Sequence, residues 1–197
     1  MSVLAFGHLR MLPAKITGCR NMGYIREATL SDLPRIVEIY NEAILSSFET
    51  GEMATVTVEE KMDWFAGHQN NRYPIYVYEV NEVVAGWLSL SPYRPGREAF
   101  RFTAEVSYYV DKNYKRRGIG SSLLSHALSA AEVLGFRTLF AIVLDRNNPS
   151  IELLRKFDFV PWGHMPYVAD FDGELCGHVY YGRHIGALND GLQKKEK

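Results

Sequence analysis

In Tyr108-Tyr109-Val110-Asp111-Lys112-Asn113-Tyr114-Lys115-Arg116-Arg117-Gly118-Ile119-Gly120-Ser121-Ser122-Leu123-Leu124, an aromatic and β-branched run ends at Val110. A short basic segment follows, and two glycines then open a leucine-rich amphipathic helix. A helix start carries unpaired N–H donors and partial positive charge, so it attracts phosphate. Glycine lets a phosphate approach the main chain with no Cβ in the way. The stretch reads as a pyrophosphate site between a strand and a helix.

Three phosphate loops compete for this pattern. A Walker-type loop needs Gly, four residues and then Gly-Lys-Ser/Thr, and no such run follows Gly118. The dinucleotide fingerprint needs a third glycine where Leu123 stands, and a strand feeding straight into the first glycine. Here the polar and basic residues Asp111 to Arg117 intervene. What remains is Arg-Arg-Gly-x-Gly between a strand and a Leu-rich helix.

Outward from this loop, both neighbours are legible. Phe102 to Asp111 predicts a strand. Ile119 to Leu134 predicts a helix with Ile119, Leu123, Leu124, Ala127, Leu128 and Ala131 on one face, capped by Gly135. Upstream, Tyr24 to Ala28 alternates as a strand. Leu33 to Ile44 repeats at helical spacing behind Pro34, and a second helix runs from about Thr57 to Gly67. Ile75 to Val80 and Val83 to Ser91 form a hairpin around Asn81-Glu82. Downstream, Thr138 to Val143 is a buried strand and Pro149 to Phe157 a helix. Another strand starts over Phe159 to His164, and Asp172-Gly173 turns a last hairpin. The order is strand, two helices, three strands, helix, strand, helix, two strands. It predicts a mixed α/β (α+β) fold whose sheet is mostly antiparallel with one parallel pair in the middle.

The chain has 197 residues, 47% hydrophobic and 23% charged, with a formal charge of −1. That suits one domain with a sizeable core. No global field draws it to nucleic acid or membrane. No apolar run approaches the ~18 residues of a membrane span. Residues 1–23 are expected to be an irregular extension, or to precede a natural start at Met22. Gly7-His8-Leu9-Arg10 interrupts any signal-peptide core there. The domain is expected over 24–186 and a charged, disordered tail over 187–197. Cys19 and Cys176 allow at most a single disulfide, and the histidines lack metal-ligand spacing. A reducing, cytoplasmic setting is the expectation.

From Tyr24 to about Gly182 the chain resembles the GNAT superfamily of N-acetyltransferases. Within it, the likeness is to phosphinothricin and methionine sulfone or sulfoximine N-acetyltransferases. Besides the glycine loop, four stretches carry it: Phe48-Glu49-Thr50; Gly86-Trp87-Leu88-Ser89-Leu90-Ser91-Pro92-Tyr93-Arg94; Thr103-Ala104-Glu105-Val106-Ser107-Tyr108-Tyr109-Val110; and Asn147-x-Pro149-Ser150-Ile151-x-Leu153 with Phe159. The resemblance implies a twisted sheet of six to seven strands with about four helices, splayed into a V that takes acetyl-CoA. It implies that main-chain groups of Tyr108 to Val110 meet the pantetheine arm. The pyrophosphate would lie on Arg116, Arg117, Gly118, Ile119, Gly120 and Ser121, with Asn147 reaching the arm from the last helix. A homodimer is the usual assembly of such proteins.

The chemistry asks for few groups. A protonated amine cannot attack a thioester, and a carboxylate can take its proton through water. The resemblance gives that role to Glu105, which shares a strand face with Ser107 and Tyr109. A backbone N–H at or next to Val110 is the expected oxyanion donor. Many GNAT enzymes carry an acidic Tyr where this chain has Leu154, and the phosphinothricin relatives often carry His. A thiol's pKa of about 8.5 makes its thiolate a tolerable leaving group without an acid. Tyr109 or Tyr167 are the substitutes available. Arg94 matches the family's loop arginine and is expected to read the substrate carboxylate, with Phe48, Thr50 and Tyr93 shaping the pocket. The expected reaction is acetyl transfer from acetyl-CoA to a small acidic amino acid or analogue. The alternatives are a peptide, protein N-terminal or polyamine acetyltransferase, or a CoA-binding module without catalysis.

Overall fold

The computed structural model describes residues 23–68 and 72–186. Cys19, the tail expected over 187–197 and all but Gly23 of the N-terminal extension lie outside the described residues. In chain order the elements are β1 (Tyr24–Glu27), α1 (Leu33–Leu45), α2 (Val58–Gly67), β2 (Ile75–Val80), β3 (Val83–Pro92), β4 (Thr103–Val110), α3 (Ile119–Val133), β5 (Thr138–Leu144), α4 (Asn148–Lys156), β6 (Val160–Phe171) and β7 (Glu174–His184). The seven strands form one sheet in the order β1-β2-β3-β4-β5-β7-β6, and only β4 and β5 run parallel. This is the mixed, mostly antiparallel sheet with four helices that the sequence predicts. β6 starts within the expected Phe159–His164 stretch and runs to Phe171, into the Asp172-Gly173 turn.

Local chemistry explains the ends of these elements. Thr57 and Glu60 close a capping box on α2: the Glu60 N–H donates to Thr57 Oγ1 at 3.2 Å, and the Thr57 N–H to Glu60 Oε2 at 2.7 Å. Asn147 caps α4 by accepting the Ser150 N–H at 3.2 Å. Both tight hairpins turn through paired positive φ angles, Asn81 and Glu82 at 51° and 64°, Asp172 and Gly173 at 53° and 97°. That is the two-residue turn whose twist suits adjacent antiparallel strands.

Helices cover both faces of the sheet. Under α3 and α4 lies an aliphatic cluster including Leu88, Leu90, Val106, Leu123, Leu124 and Leu139. Under α1 and α2 lies a second cluster including Ile36, Ile39, Phe65, Val77 and Trp87. β4 is divided between them. Ala104 and Val106 belong to the first cluster, whereas Tyr109 packs on the second.

β4 and β5 pair only at Thr103–Thr138, Ala104–Leu139 and Glu105–Phe140, after which β5 continues against β7 to Leu144. The sheet therefore opens beyond Glu105. At the open end the Asp111 N–H donates to Ala85 O at 3.0 Å, on the β3 side. Strand alternation then turns the main-chain groups of Tyr108 and Val110 away from β3, into the gap. Buried Asp111 anchors this end. It pairs with Arg35 of α1 and accepts the Asn113 N–H at 2.6 Å, which holds the start of the phosphate loop against α1.

Candidate active site

The gap is a cleft of about 460 Å³. Tyr108, Tyr109 and Val110 line it from β4, and Tyr114, Lys115, Arg116 and Gly118 from the loop. Ile119, Gly120 and Ser121 line it from α3, Asn147, Pro149, Ser150 and Leu153 from α4, and Glu49 closes it. Of the residues expected to meet the cofactor, Arg117 alone is missing from this lining. Its guanidinium lies over the Tyr114 ring at 5.1 Å. Glu49, Tyr114, Lys115 and Leu153 were not expected there. Glu49 and Lys115 form an ion pair at 2.6 Å, a contact between loops far apart in sequence.

The cleft fits a pyrophosphate. The first intrahelical bond of α3 runs from the Ser122 N–H to Gly118 O at 2.9 Å, so the N–H groups of Ile119, Gly120 and Ser121 precede the ladder. Lys115 and Arg116 add positive charge, and Lys156 Nζ donates to Ser121 Oγ at 3.4 Å. Gly118 has φ 85°, and a Cβ there would meet no protein atom within 4 Å. Its side of the loop is open to a ligand. Gly120 has a different reason: a Cβ would sit 3.1 Å from Leu153 Cδ2, so it lets α3 and α4 approach. Asn147 Oδ1 is used by the helix cap, leaving its amide N–H₂ for the cleft.

Glu105 occupies the last β4–β5 pair, at the point of the V, and faces Ser91 across β3. It is half-buried, and that burial pushes its carboxyl above the usual Glu value. No hydrogen-bond or ion-pair partner for it exists among the described residues. Tyr109 lies on the same face, its ring 5.0 Å from Tyr40 edge-on and 4.8 Å from Trp87. Burial, and then the neighbouring Tyr40, hold its phenol well above the usual range, with a Thr50 hydroxyl contact opposing. Tyr109 therefore keeps its proton at neutral pH and is a weaker acid than an exposed tyrosine. Burial also pushes Tyr108 up to about 12, and its hydroxyl donates to Ser150 O at 3.4 Å.

A smaller pocket of about 130 Å³ opens on the α1–α2 face, and Tyr109 lines both spaces. Tyr40, Lys61, Trp64, Trp87, Ser89, Ser91 and Ser107 complete it with Ile36 and Val37. Beside it His68 is buried, which lowers its pKa. Neutral His68 donates from Nδ1 to Trp64 O at 2.7 Å, so Nε2 accepts the Ser91 hydroxyl at 3.2 Å.

The expected substrate residues are dispersed. Thr50 Oγ1 is 3.1 Å from Tyr40 Oη. Phe48 packs edge-on against Phe171 at 5.0 Å under the Arg146 guanidinium, and lines neither space. Tyr93 packs on Phe100 and on Phe140, the strand partner of Glu105. Arg94 is exposed, with φ 51° and its guanidinium 5.7 Å over Tyr93. Leu154 is fully buried in the core, and Leu153 is the residue that meets the cleft. Tyr167 is 74% exposed and lines neither space.

Known proteins share this architecture. The model of the acetyltransferase (GNAT) family matches residues 33–159. YwnH of Bacillus subtilis (strain 168), whose name carries a provisional phosphinothricin acetyltransferase assignment, is 41% identical over 82% of this chain and 98% of its own. An L-methionine sulfoximine/L-methionine sulfone acetyltransferase of Salmonella typhimurium is 33% identical over 73% of this chain and 84% of its own. The solved phosphinothricin acetyltransferase of Sinorhizobium meliloti, in complex with acetyl-CoA, superposes with a TM-score of 0.79 at 30% identity, covering 84% of this chain and 89% of that one. The protein thus belongs to the GNAT acetyltransferase family and is an acetyl-CoA-dependent acyltransferase.

Proposed function

We propose that this enzyme acetylates the α-amino group of a small acidic amino acid or analogue, of the phosphinothricin, methionine sulfone or methionine sulfoximine type, with Glu105 as general base. The observation that carries the reading is the state of Glu105: a half-buried, unpartnered carboxylate at the point where β4 and β5 part. A structural glutamate on a strand is normally solvated or paired. This one is held ready to accept a proton, and burial moves its proton affinity toward the working pH.

Acetyl-CoA supplies the activated acyl group when bound. The chain's own residues do the rest. The α3 N-terminus, Lys115 and Arg116 take the pyrophosphate. Tyr108 and Val110 offer main-chain groups to the pantetheine arm, and the Val110 N–H is aimed where an oxyanion develops. Glu105 removes the ammonium proton, directly or through a water. Tyr109 stands as the donor for the departing thiolate. Arg94, on the loop that follows β3, is the residue we assign to the substrate's α-carboxylate, a role it would take by swinging off the Tyr93 ring.

Assembly belongs to the same reading. β6 is a sheet edge that exposes Val160, Trp162, Met165, Tyr167 and Val168. A second copy is the partner we propose for that surface, checked by sedimentation equilibrium.

The direct test is Glu105→Gln, which keeps shape and removes the base. Loss of general-base help costs about 10²–10⁴-fold in rate. Calorimetry should find acetyl-CoA affinity nearly unchanged, because Glu105 is not among the residues that line the larger cleft. Near-wild-type turnover at neutral pH would make Glu105 structural.

A further inference from the structure

We propose that the small pocket beneath α1 and α2 is the subsite for the distal end of the substrate's side chain, and that Lys61 selects acceptor oxygens there. The inference rests on the amino-acid reading above and names what that reading leaves open, the feature that tells one amino acid from another.

The carrying observation is Ser89. It is only 2% exposed, lines the pocket, and has no hydrogen-bond partner among the described residues. No side-chain oxygen or nitrogen among those residues is sealed from solvent without a partner, so the Ser89 hydroxyl opens into the pocket. Ser107, its strand neighbour, also has no partner. Ser91 is engaged, its proton given to His68 Nε2. Two hydroxyl donors therefore face an otherwise aromatic space walled by Tyr40, Trp64 and Trp87.

Lys61 supplies the third donor. Its stem is largely covered and its ammonium lies 4.9 Å over the Tyr40 ring. Its one ion-pair neighbour among the described residues, Glu52, is exposed and 3.9 Å away, at the limit of an ion pair. Such a contact yields readily to a better-placed acceptor. An ammonium has three donors and no acceptor, so the set is matched by a group with at least two acceptor atoms, oxygen or imine nitrogen, on one centre.

Direction and size agree. Ser107 is two residues along β4 from Glu105, about 7 Å at strand rise. That is the reach of an amino-acid side chain whose amine sits at Glu105. The volume of about 130 Å³ equals roughly four water molecules, enough for a compact tetrahedral group. A phosphinate, sulfone or sulfoximine satisfies all three donors. A thioether, whose sulfur is a weak acceptor, leaves them unpaired.

The test is a selectivity ratio. Measure kcat/KM for methionine sulfone and for methionine by thiol release, in wild type, Lys61→Met and Ser89→Ala. Met keeps the stem over Tyr40 and removes the charge. The wild type should prefer the sulfone. Lys61→Met should lower the sulfone-to-methionine ratio by about 10- to 100-fold, and Ser89→Ala by a few-fold. Equal losses on both substrates would mean that Lys61 supports the fold or reads the shared α-carboxylate, and would overturn the proposal. An unchanged ratio would overturn it as well. If Lys61→Met does not fold, the Ser89→Ala ratio decides. If the wild type acetylates neither of these nor phosphinothricin, the amino-acid reading itself falls, and this inference with it.

Discussion

The two faces of the sheet are packed differently. Under α3 the packing is closed: Leu88, Leu90, Leu123, Leu124 and Leu139 are all fully buried. Under α1 and α2 an aliphatic layer is interrupted by a group of aromatic rings around a cavity. Tyr40, Trp64, Trp87 and Tyr109 stack at tilted and edge angles around a pocket, with hydroxyls of Ser89, Ser107 and Thr50 beside them. Close-packed aliphatic interiors tolerate few voids, so a change there is felt as lost stability. Aromatic rings with hydroxyl tips keep a cavity open while remaining anchored. One face is packed shut and the other keeps an open pocket, the one we propose for substrate.

This contrast can be broken by experiment. The largest effect is expected at Leu124→Ala, which should cost about 2–5 kcal/mol of unfolding free energy. Its kinetic constants should stay close to wild type well below the melting transition. A denaturation curve paired with steady-state kinetics checks both, and a changed substrate preference would erase the division between the faces. Gly118→Val comes next. It places a β-branched residue at φ 85° and a side chain in the phosphate path. The apparent acetyl-CoA constant should rise at least about tenfold, with the amine constant little altered. Unchanged CoA affinity by calorimetry in a folded variant would remove the loop from the cofactor site.

Tyr109→Phe sharpens the comparison on the substrate face. The thiolate is a fair leaving group unaided, so kcat should fall less than about tenfold. A steeper loss would make proton donation obligatory. The smallest effect concerns stability and pH. The folded-state pKa of Glu105 is raised by burial, so the folded protein holds that proton more tightly than the unfolded chain. Stability is thus reduced as pH rises through the unfolded and then the folded value. Glu105→Gln should melt at a slightly higher temperature than wild type at neutral pH, and the difference should vanish in acid below the ordinary Glu range. A variant less stable at neutral pH would show that Glu105 has a stabilising partner.

Most of this architecture was legible in the sequence because its signals are local. Ile75 to Val80 alternates between two cores, and α3 carries its apolar stripe and its glycine entry. In β6 only the start and the closing turn are legible, because Pro161, Gly163 and Pro166 weaken the strand pattern between them. The strand accommodates them with irregular pairing between Pro161 and Gly163 and again between Met165 and Ala169. The lining of the larger cleft was legible for the same reason, since one contiguous loop and helix start build most of it. The small pocket was not. Lys61 reads as an ordinary exposed charge on α2, and only the packing of α2 onto β3 and β4 brings it over Tyr40. The alternating serines at 89, 91 and 107 were the available signal: small hydroxyl residues recurring on a strand face that is otherwise apolar. Arg94 shows the reverse, since its residue type was legible and its orientation was not.

The alternation of β4 has an evolutionary consequence. Ser107 and Tyr109 line the pocket on the α1–α2 side and Glu105 shares their parity, while Ala104 and Val106 fill the α3 core. The main-chain donors of Tyr108 and Val110 fall into the gap by the same parity. Inserting or deleting a single residue within β4 would invert all of these at once, burying Glu105 in the α3 core and exposing the core residues. The strand can therefore diversify by substitution but not by length. The connection from Tyr93 to Arg101 carries no register, so a change of length there leaves the alternation of β4 intact, and its cost falls on Arg94 and Tyr93 alone.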